Sequence, residues 1–125
     1  MGSAKAEEEE GARLLRLLRK AATDGFIEWE SDRVSAKVRD DARFQGMQPP
    51  SIKELAVTYI KAGGRITVRA ETDEVWVGKR KFDYYFQISF PVVGLFVSVF
   101  MKLVIEDDDP DCPEAHIVGV HPSSY

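Results

Sequence analysis

The chain has 125 residues, of which 44% are hydrophobic and 30% are charged, and its formal net charge at pH 7 is −4. This length and composition are typical of one globular domain that buries its own core, and they exclude disorder over most of the chain. The single cysteine, Cys112, excludes an internal disulfide and any zinc site built from paired cysteines. An unpaired thiol also favours a reducing compartment.

The first ten residues include four consecutive glutamates and no apolar segment, so they predict neither a signal peptide nor a transit peptide. We interpret residues 1–10 as a tag or disordered acidic tail, followed by a single domain at residues 11–125. The longest apolar run, residues 86–105, is broken by polar residues and by a turn, whereas a membrane span needs about 20 mostly apolar residues. We therefore expect a cytoplasmic protein without a membrane partner.

The first half of the chain predicts two helices. Residues 7–24 carry leucines and alanines at helical spacing and are followed by a stop at Gly25. Residues 52–62 form the second amphipathic segment, for which Ser51 and Glu54 have the spacing of a capping box.

Two short stretches between these helices alternate apolar and polar residues. This alternation, in residues 26–30 and 33–38, predicts short strands. Residues 40–50 contain Gly46, Pro49 and Pro50 without a clean period, so we expect most of this segment to be irregular.

From residue 64 onward the apolar residues recur with a period of two, which is typical of strands. The predicted strands are residues 66–70, 75–77, 82–90, 95–106 and 115–121. Short turns between them favour a meander. The fold class is therefore α+β, with two N-terminal-half helices packed on one face of a four- to five-stranded curved antiparallel sheet.

The same period predicts which side chains share the sheet face that the helices leave uncovered. They are Tyr85, Gln87, Ser98, Phe100 and Lys102, with Arg65, Thr67 and Arg69 toward one edge. In the last strand Ile117 and His121 are expected to share a face across Gly119, and the sequence leaves open which face that is. Polar residues on a hydrated sheet face also occur without any function.

This order of features resembles the BECR group of ribonuclease folds, which includes the RelE and MqsR toxins. The resemblance runs from Ala12 to His121. It is carried by Val-Phe-Met-Lys-Leu-Val-Ile at 99–105, by Ile-Val-Gly-Val-His at 117–121, and by Arg-Asp-Asp-Ala-Arg-Phe at 39–44 with Gly-Met at 46–47 and Ser-Ile at 51–52. Two positions depart from the pattern. Arg39 stands where related domains have a histidine, and Phe100 stands where an MqsR-like toxin has a catalytic tyrosine.

The resemblance implies an RNA-binding domain of the toxin–antitoxin kind that cleaves RNA as a metal-independent endoribonuclease, or a catalytically inactive relative. It needs no cofactor and no metal. Lys102 with Arg39 or Arg43 would stabilise phosphate charge, and His121 or Tyr85 would be the acid or base. The implied partners are RNA, the ribosome or an antitoxin-like protein.

Charge and one alternative architecture weigh against this interpretation. Basic residues predominate in residues 11–81, but a pI of 5.2 disfavours a dedicated nucleic-acid binder. The alternative is a non-enzymatic ligand- or protein-binding module with the cone-shaped fold of SnoaL and nuclear transport factor, dimeric through its open sheet face. The acidic run at residues 106–111 could suggest a cation site, but its spacing fits a solvated turn better.

Overall fold

A computed structural model describes the backbone of residues 2–124 and the side chains of residues 8–123. Its helices are α1 (Gly2–Asp24), α2 (Asp32–Asp40) and α3 (Pro49–Lys61), with a single 3-10 turn at Ala42–Phe44. Its strands are β1 (Ile27–Trp29), β2 (Thr67–Ala70), β3 (Tyr84–Pro91), β4 (Val97–Asp107) and β5 (Glu114–Ser124). The α+β class is confirmed. The boundary between an N-terminal tail and the domain stays a prediction, and α1 begins before the predicted residue 7.

The five strands form one sheet in the order β1-β5-β4-β3-β2. The pairs from β2 to β5 are antiparallel, as predicted, but β1 runs parallel to β5, so the sheet is mixed. The prediction of a purely antiparallel sheet was wrong because β1 and β5 lie at opposite ends of the chain. Alternation within a strand does not report which distant strand it pairs with.

Residues 33–38 form helix α2 and not the predicted strand. Ser31 caps this helix, its hydroxyl accepting a hydrogen bond from the Val34 amide at 3.4 Å. Val34 and Val38 are both buried, and their spacing of four residues suits one helical face as well as it suits alternation. The helices packed on the sheet are therefore three rather than two.

Two further local predictions were wrong. Helix α3 begins at Pro49, with Gln48 in the capping position and no side-chain cap, because proline suits the first helical turn. Residues 75–77 form turns in place of a strand. The Asp73 carboxylate accepts a hydrogen bond from the Val75 amide at 2.9 Å, and the Arg80 guanidinium lies 4.6 Å from the centre of the Trp76 ring.

The core lies between the three helices and one face of the sheet. Its largest fully buried side chains come from every layer: Leu14, Leu18, Phe44, Ile52, Ile60, Phe86, Ile88, Met101, Leu103 and Ile117. From Tyr85 to Phe90 and from Val97 to Leu103 buried residues alternate with more exposed ones, as the predicted assignment of side chains to two faces requires, whereas Val104 is buried like its two neighbours. We call the side that the helices do not cover the open face.

The sheet does not close on itself, because β1 and β2 are its two edges and do not pair. None of the helices described for residues 2–124 is long and apolar enough to cross a membrane.

Candidate functional site

The centre of the open face is built from three neighbouring strands in register. Gln87 of β3 pairs with Lys102 of β4, and Phe100 of β4 pairs with His121 of β5. Paired residues of antiparallel strands point to the same side of the sheet, so these four side chains form one continuous surface.

Lys102 has two partners on this surface. Its ammonium nitrogen lies 4.0 Å from the centre of the Tyr85 ring and 3.4 Å from a carboxylate oxygen of Glu71. The Lys102 side chain is 30% exposed, so its charge remains accessible from one side. The structure thus brings together the predicted residues Lys102 and Tyr85.

Gly119 lies beside Lys102 on the neighbouring strand β5. It is the residue of β5 that pairs with Lys102, and a Cβ added to it would lie 3.6 Å from the Lys102 Cβ. This is an ordinary van der Waals distance, and the Lys102 ammonium group lies on the other side of β4, toward Tyr85 and Glu71.

His121 reaches the open face through a β-bulge. The register of β4 and β5 shifts between Lys102 and Leu103, so that Val118 is an extra residue. Ile117 therefore points into the core while His121 points to the open face, and the prediction that these two residues share a face was wrong. Strict alternation holds only where no residue is inserted.

The imidazole of His121 stacks on the Phe100 ring, with ring centres 4.7 Å apart and planes inclined by 25°. Its Nδ1 lies 3.2 Å from the Pro122 carbonyl oxygen, which can accept a hydrogen bond when Nδ1 carries the proton. In that tautomer Nε2 is free to take up or release a proton.

A second basic group lies toward the β2 edge. The Arg69 Nε donates a hydrogen bond to the Gln87 side-chain oxygen at 3.0 Å. Beside it is a shallow depression of about 250 Å³ lined by Tyr59, Arg65, Thr67, Gln87, Ile88, Ser89 and Phe100. The predicted position of Arg65, Thr67 and Arg69 toward this edge agrees with the register of β2 and β3.

The opposite end of the open face is acidic. The two ring nitrogens of His116 lie 3.8 Å from a carboxylate oxygen of Glu106 and 3.5 Å from one of Glu114. Carboxylates therefore lie on both sides of the His116 ring at this end, whereas Lys102 and Arg69 contact residues of β3.

Arg39 and Arg43 lie at the end of α2 and in the turn that follows. Arg43 forms an ion pair with Asp41 at 2.9 Å, and this hydrogen bond lowers the pKa of the Asp41 carboxyl. Within residues 8–123 neither arginine forms a hydrogen bond or an ion pair with Lys102 or Tyr85. Residues of the 37–42 segment and His121 do line the same surface depression, which has a volume of about 400 Å³.

Glu71 is the member of this site that the sequence did not reveal. It follows β2 with the same parity as Arg69, and its amide donates a hydrogen bond to the Asp83 carbonyl at 2.7 Å, which continues the β2–β3 ladder by one pair. Extending the alternation beyond residue 70 would have placed Glu71 on the open face. We instead ended the predicted strand at residue 70 and expected a hairpin turn at residues 72–73.

Searches against protein-family models, curated proteins and solved structures found no match to this chain. No cluster of three or more histidine, cysteine, aspartate or glutamate side chains within the described residues could hold a metal ion. The open face presents an ammonium group, a phenol, an imidazole and a carboxylate on one surface.

Proposed function

We propose that the chain is an RNA-binding domain of the RelE and MqsR kind, which cleaves RNA on its open face without a metal. The observation that carries this proposal is the arrangement of Lys102 over Tyr85, next to the stacked pair Phe100 and His121. An accessible cation favours a phosphate, and aromatic rings on an open sheet favour unpaired bases.

The residues present can supply each part of a transesterification. A base removes the proton of a ribose 2′-hydroxyl, whose oxygen attacks the adjacent phosphorus, and the bond to the 5′-oxygen breaks as that oxygen is protonated. His121 is the candidate acid or base at the Phe100 platform, because its imidazole stacks on the Phe100 ring. Lys102 stabilises the additional negative charge on phosphorus in the transition state.

Phe100 bears on whether the site cleaves RNA or only binds it. A phenylalanine can stack on a base, but it has no hydroxyl for proton transfer. Tyr85, on the other side of Lys102, carries the hydroxyl nearest the cation among the predicted site residues. If cleavage is absent, the same surface would serve as a phosphate- and base-binding site of an inactive relative.

The test is a comparison of Lys102→Ala with Lys79→Ala, which removes an exposed lysine from the turns between β2 and β3. Removing one transition-state charge contact costs about 10²- to 10³-fold in rate. We expect Lys102→Ala to abolish growth arrest in bacteria and to slow RNA cleavage by that factor, with Lys79→Ala close to wild type. The product should carry a 2′,3′-cyclic phosphate and a free 5′-hydroxyl.

His121→Gln is the second variant, because its side chain lies on the surface and its loss leaves the core intact. Equal RNA binding and cleavage by wild type, Lys102→Ala and His121→Gln would contradict the proposal. Binding that depends on Lys102 without any cleavage would support the inactive form.

A second candidate function is a ligand- or protein-binding module. It is favoured by an apolar groove of about 520 Å³ between α1 and the β2 edge, lined by Glu8, Gly11, Ala12, Leu15, Val68, Ala70 and Tyr84. Gly11→Val would fill this groove, since a Cβ at Gly11 already lies 3.3 Å from Val68. If Gly11→Val no longer binds an apolar dye while Lys102→Ala binds it as the wild type does, the result would favour the ligand- or protein-binding module.

A further inference from the structure

Glu71 is held firmly at the edge of the open face. Its side chain is only 7% exposed, although it lies at the end of an edge strand. One carboxylate oxygen accepts a hydrogen bond from the Asp73 amide at 3.1 Å, and the other lies 3.4 Å from the Lys102 ammonium nitrogen. The carboxylate is therefore directed at the same cation that the proposed function assigns to phosphate.

A carboxylate and a phosphodiester each carry one negative charge, and both bind an ammonium group through oxygen. The Tyr85 ring already covers one side of the Lys102 ammonium. The Glu71 carboxylate occupies a second side. An incoming phosphate would therefore have to displace Glu71, or it would bind an ammonium group whose charge is already partly neutralised.

We propose, on the basis of the proposed function, that Glu71 is an internal competitor that neutralises Lys102 until an RNA phosphate displaces it. The chain can accommodate this displacement, because residues 72–79 form exposed turns rather than a strand. The carboxylate can swing toward solvent there without disturbing the β3–β4 pairs beneath it. The affinity for RNA then depends on how much more strongly the Lys102 ammonium group binds a phosphate than it binds the Glu71 carboxylate.

Glu71→Gln tests this role, because it keeps the shape of the side chain and removes its charge. The matched control is Glu74→Gln, which makes the same change in net charge at an exposed residue of the same segment. The probe is a fluorescein-labelled 2′-O-methyl oligoribonucleotide, which lacks the nucleophilic hydroxyl and so reports binding without cleavage.

We expect Glu71→Gln to lower the Kd of the probe about five-fold, as removal of one competing ion pair would, and Glu74→Gln to change it less than about two-fold. The salt dependence should also steepen by about 0.7 in logarithmic slope, because one more phosphate is then fully neutralised. Fluorescence anisotropy at a series of NaCl concentrations measures both quantities.

Several results would overturn the role of Glu71. An affinity for Glu71→Gln equal to or weaker than that of Glu74→Gln would do so. Unchanged affinity together with lost RNA cleavage would also overturn it, since Glu71 would then act in the reaction itself. Circular dichroism and urea unfolding establish that both variants are folded before either result is interpreted.

A separate measurement distinguishes failure of this inference from failure of the proposed function. The rate at which an acylating reagent labels Lys102, followed by mass spectrometry, should rise in Glu71→Gln and remain at the wild-type rate in Glu74→Gln. Faster labelling without any probe binding would refute the proposed function and with it the displacement by phosphate. Unchanged labelling would refute the masking of Lys102 by Glu71.

Discussion

Lys102 lies in the middle of β4, between Met101 and Leu103, which are both fully buried. A lysine can occupy this position because its side chain points to the open face and its ammonium group reaches two compensating partners, Tyr85 and Glu71. The ion pair stabilises the charge of Glu71 more than that of Lys102, because the Glu71 side chain is much less exposed to water. A nearly buried carboxylate that loses its cation either remains desolvated or gives up its hydrogen bond with the Asp73 amide to reach solvent, and both are unfavourable.

This asymmetry predicts that Lys102→Met is destabilising even though methionine suits an apolar strand. We expect a loss of about 1–3 kcal/mol in the free energy of unfolding, which is the usual range for leaving a buried polar group unpaired. In the double variant Lys102→Met with Glu71→Gln most of that loss should be recovered, because no charge is left behind. Urea unfolding of the four proteins gives the coupling energy, and strictly additive effects would show that the pair contributes nothing.

At the scale of single residues, the sequence predicted Lys102 and Tyr85 on one surface because both belong to long strands with an uninterrupted period of two. It did not predict that His121 is displaced to this surface by Val118, since a β-bulge inserts a residue without a signal in the hydrophobic pattern. It also missed Glu71, which lies beyond the last residue of the predicted strand. The site was therefore predictable in the strand interiors and not at their ends.

At the scale of elements, the acidic connection between β4 and β5 ties α1 to the sheet. Asp108 accepts a hydrogen bond from Arg13 of α1 at 3.2 Å and one from Lys81 at 2.9 Å. The hydrogen bond from Lys81, reinforced by the one from Arg13, lowers the pKa of Asp108 below its ordinary value of 3.8. The run that could have suggested a cation site thus contributes a carboxylate that already pairs with two of the protein's own cations.

The lowered pKa of Asp108 sets the sign of a pH dependence. The folded protein holds this carboxyl ionised to lower pH than the unfolded chain does, so its contribution is fully present above about pH 4 and is lost as the pH falls through the folded-state pKa. We expect Asp108→Asn to have a lower Tm than wild type at neutral pH and the same Tm once the carboxyl is protonated. Asp111→Asn, an exposed acid in the same loop, should show no such difference. A Tm shift that is constant with pH would contradict this role.

The elements differ in how well the sequence predicted them. Helix α1 was recognisable because its apolar stripe is long, whereas α2 is so short that Val34 and Val38 fit either period. The turns at residues 75–77 resemble a strand in composition, but the Asp73 side chain satisfies the Val75 amide locally and no neighbouring strand is needed. Short segments were mistaken where a side chain competed with the backbone for hydrogen bonds.

At the scale of the whole molecule, the net charge of −4 opposes nucleic-acid binding, whereas the part of the open face around Lys102 offers Arg65, Arg69 and Lys102 to phosphates. Each phosphate neutralised on a single strand contributes roughly −0.7 to the slope of log K against log salt. If Arg65 and Arg69 make contacts while Glu71 masks Lys102, the expected slope for an RNA oligonucleotide is about −1.4 in the wild type and about −2 in Glu71→Gln. Anisotropy titrations between low and moderate NaCl concentrations measure it. A slope near zero would mean that phosphates do not drive binding.

The position of β5 has a consequence for how the protein is made. This strand lies inside the sheet, between β1 and β4, yet it is the last of the five to be synthesised. Until it leaves the ribosome, the growing chain presents two unsatisfied strand edges and the apolar flank of α2 that later packs on β5. The complete sheet therefore cannot form before β5 has left the ribosome, and nascent chains that stall before residue 114 expose strand edges that favour edge-to-edge association.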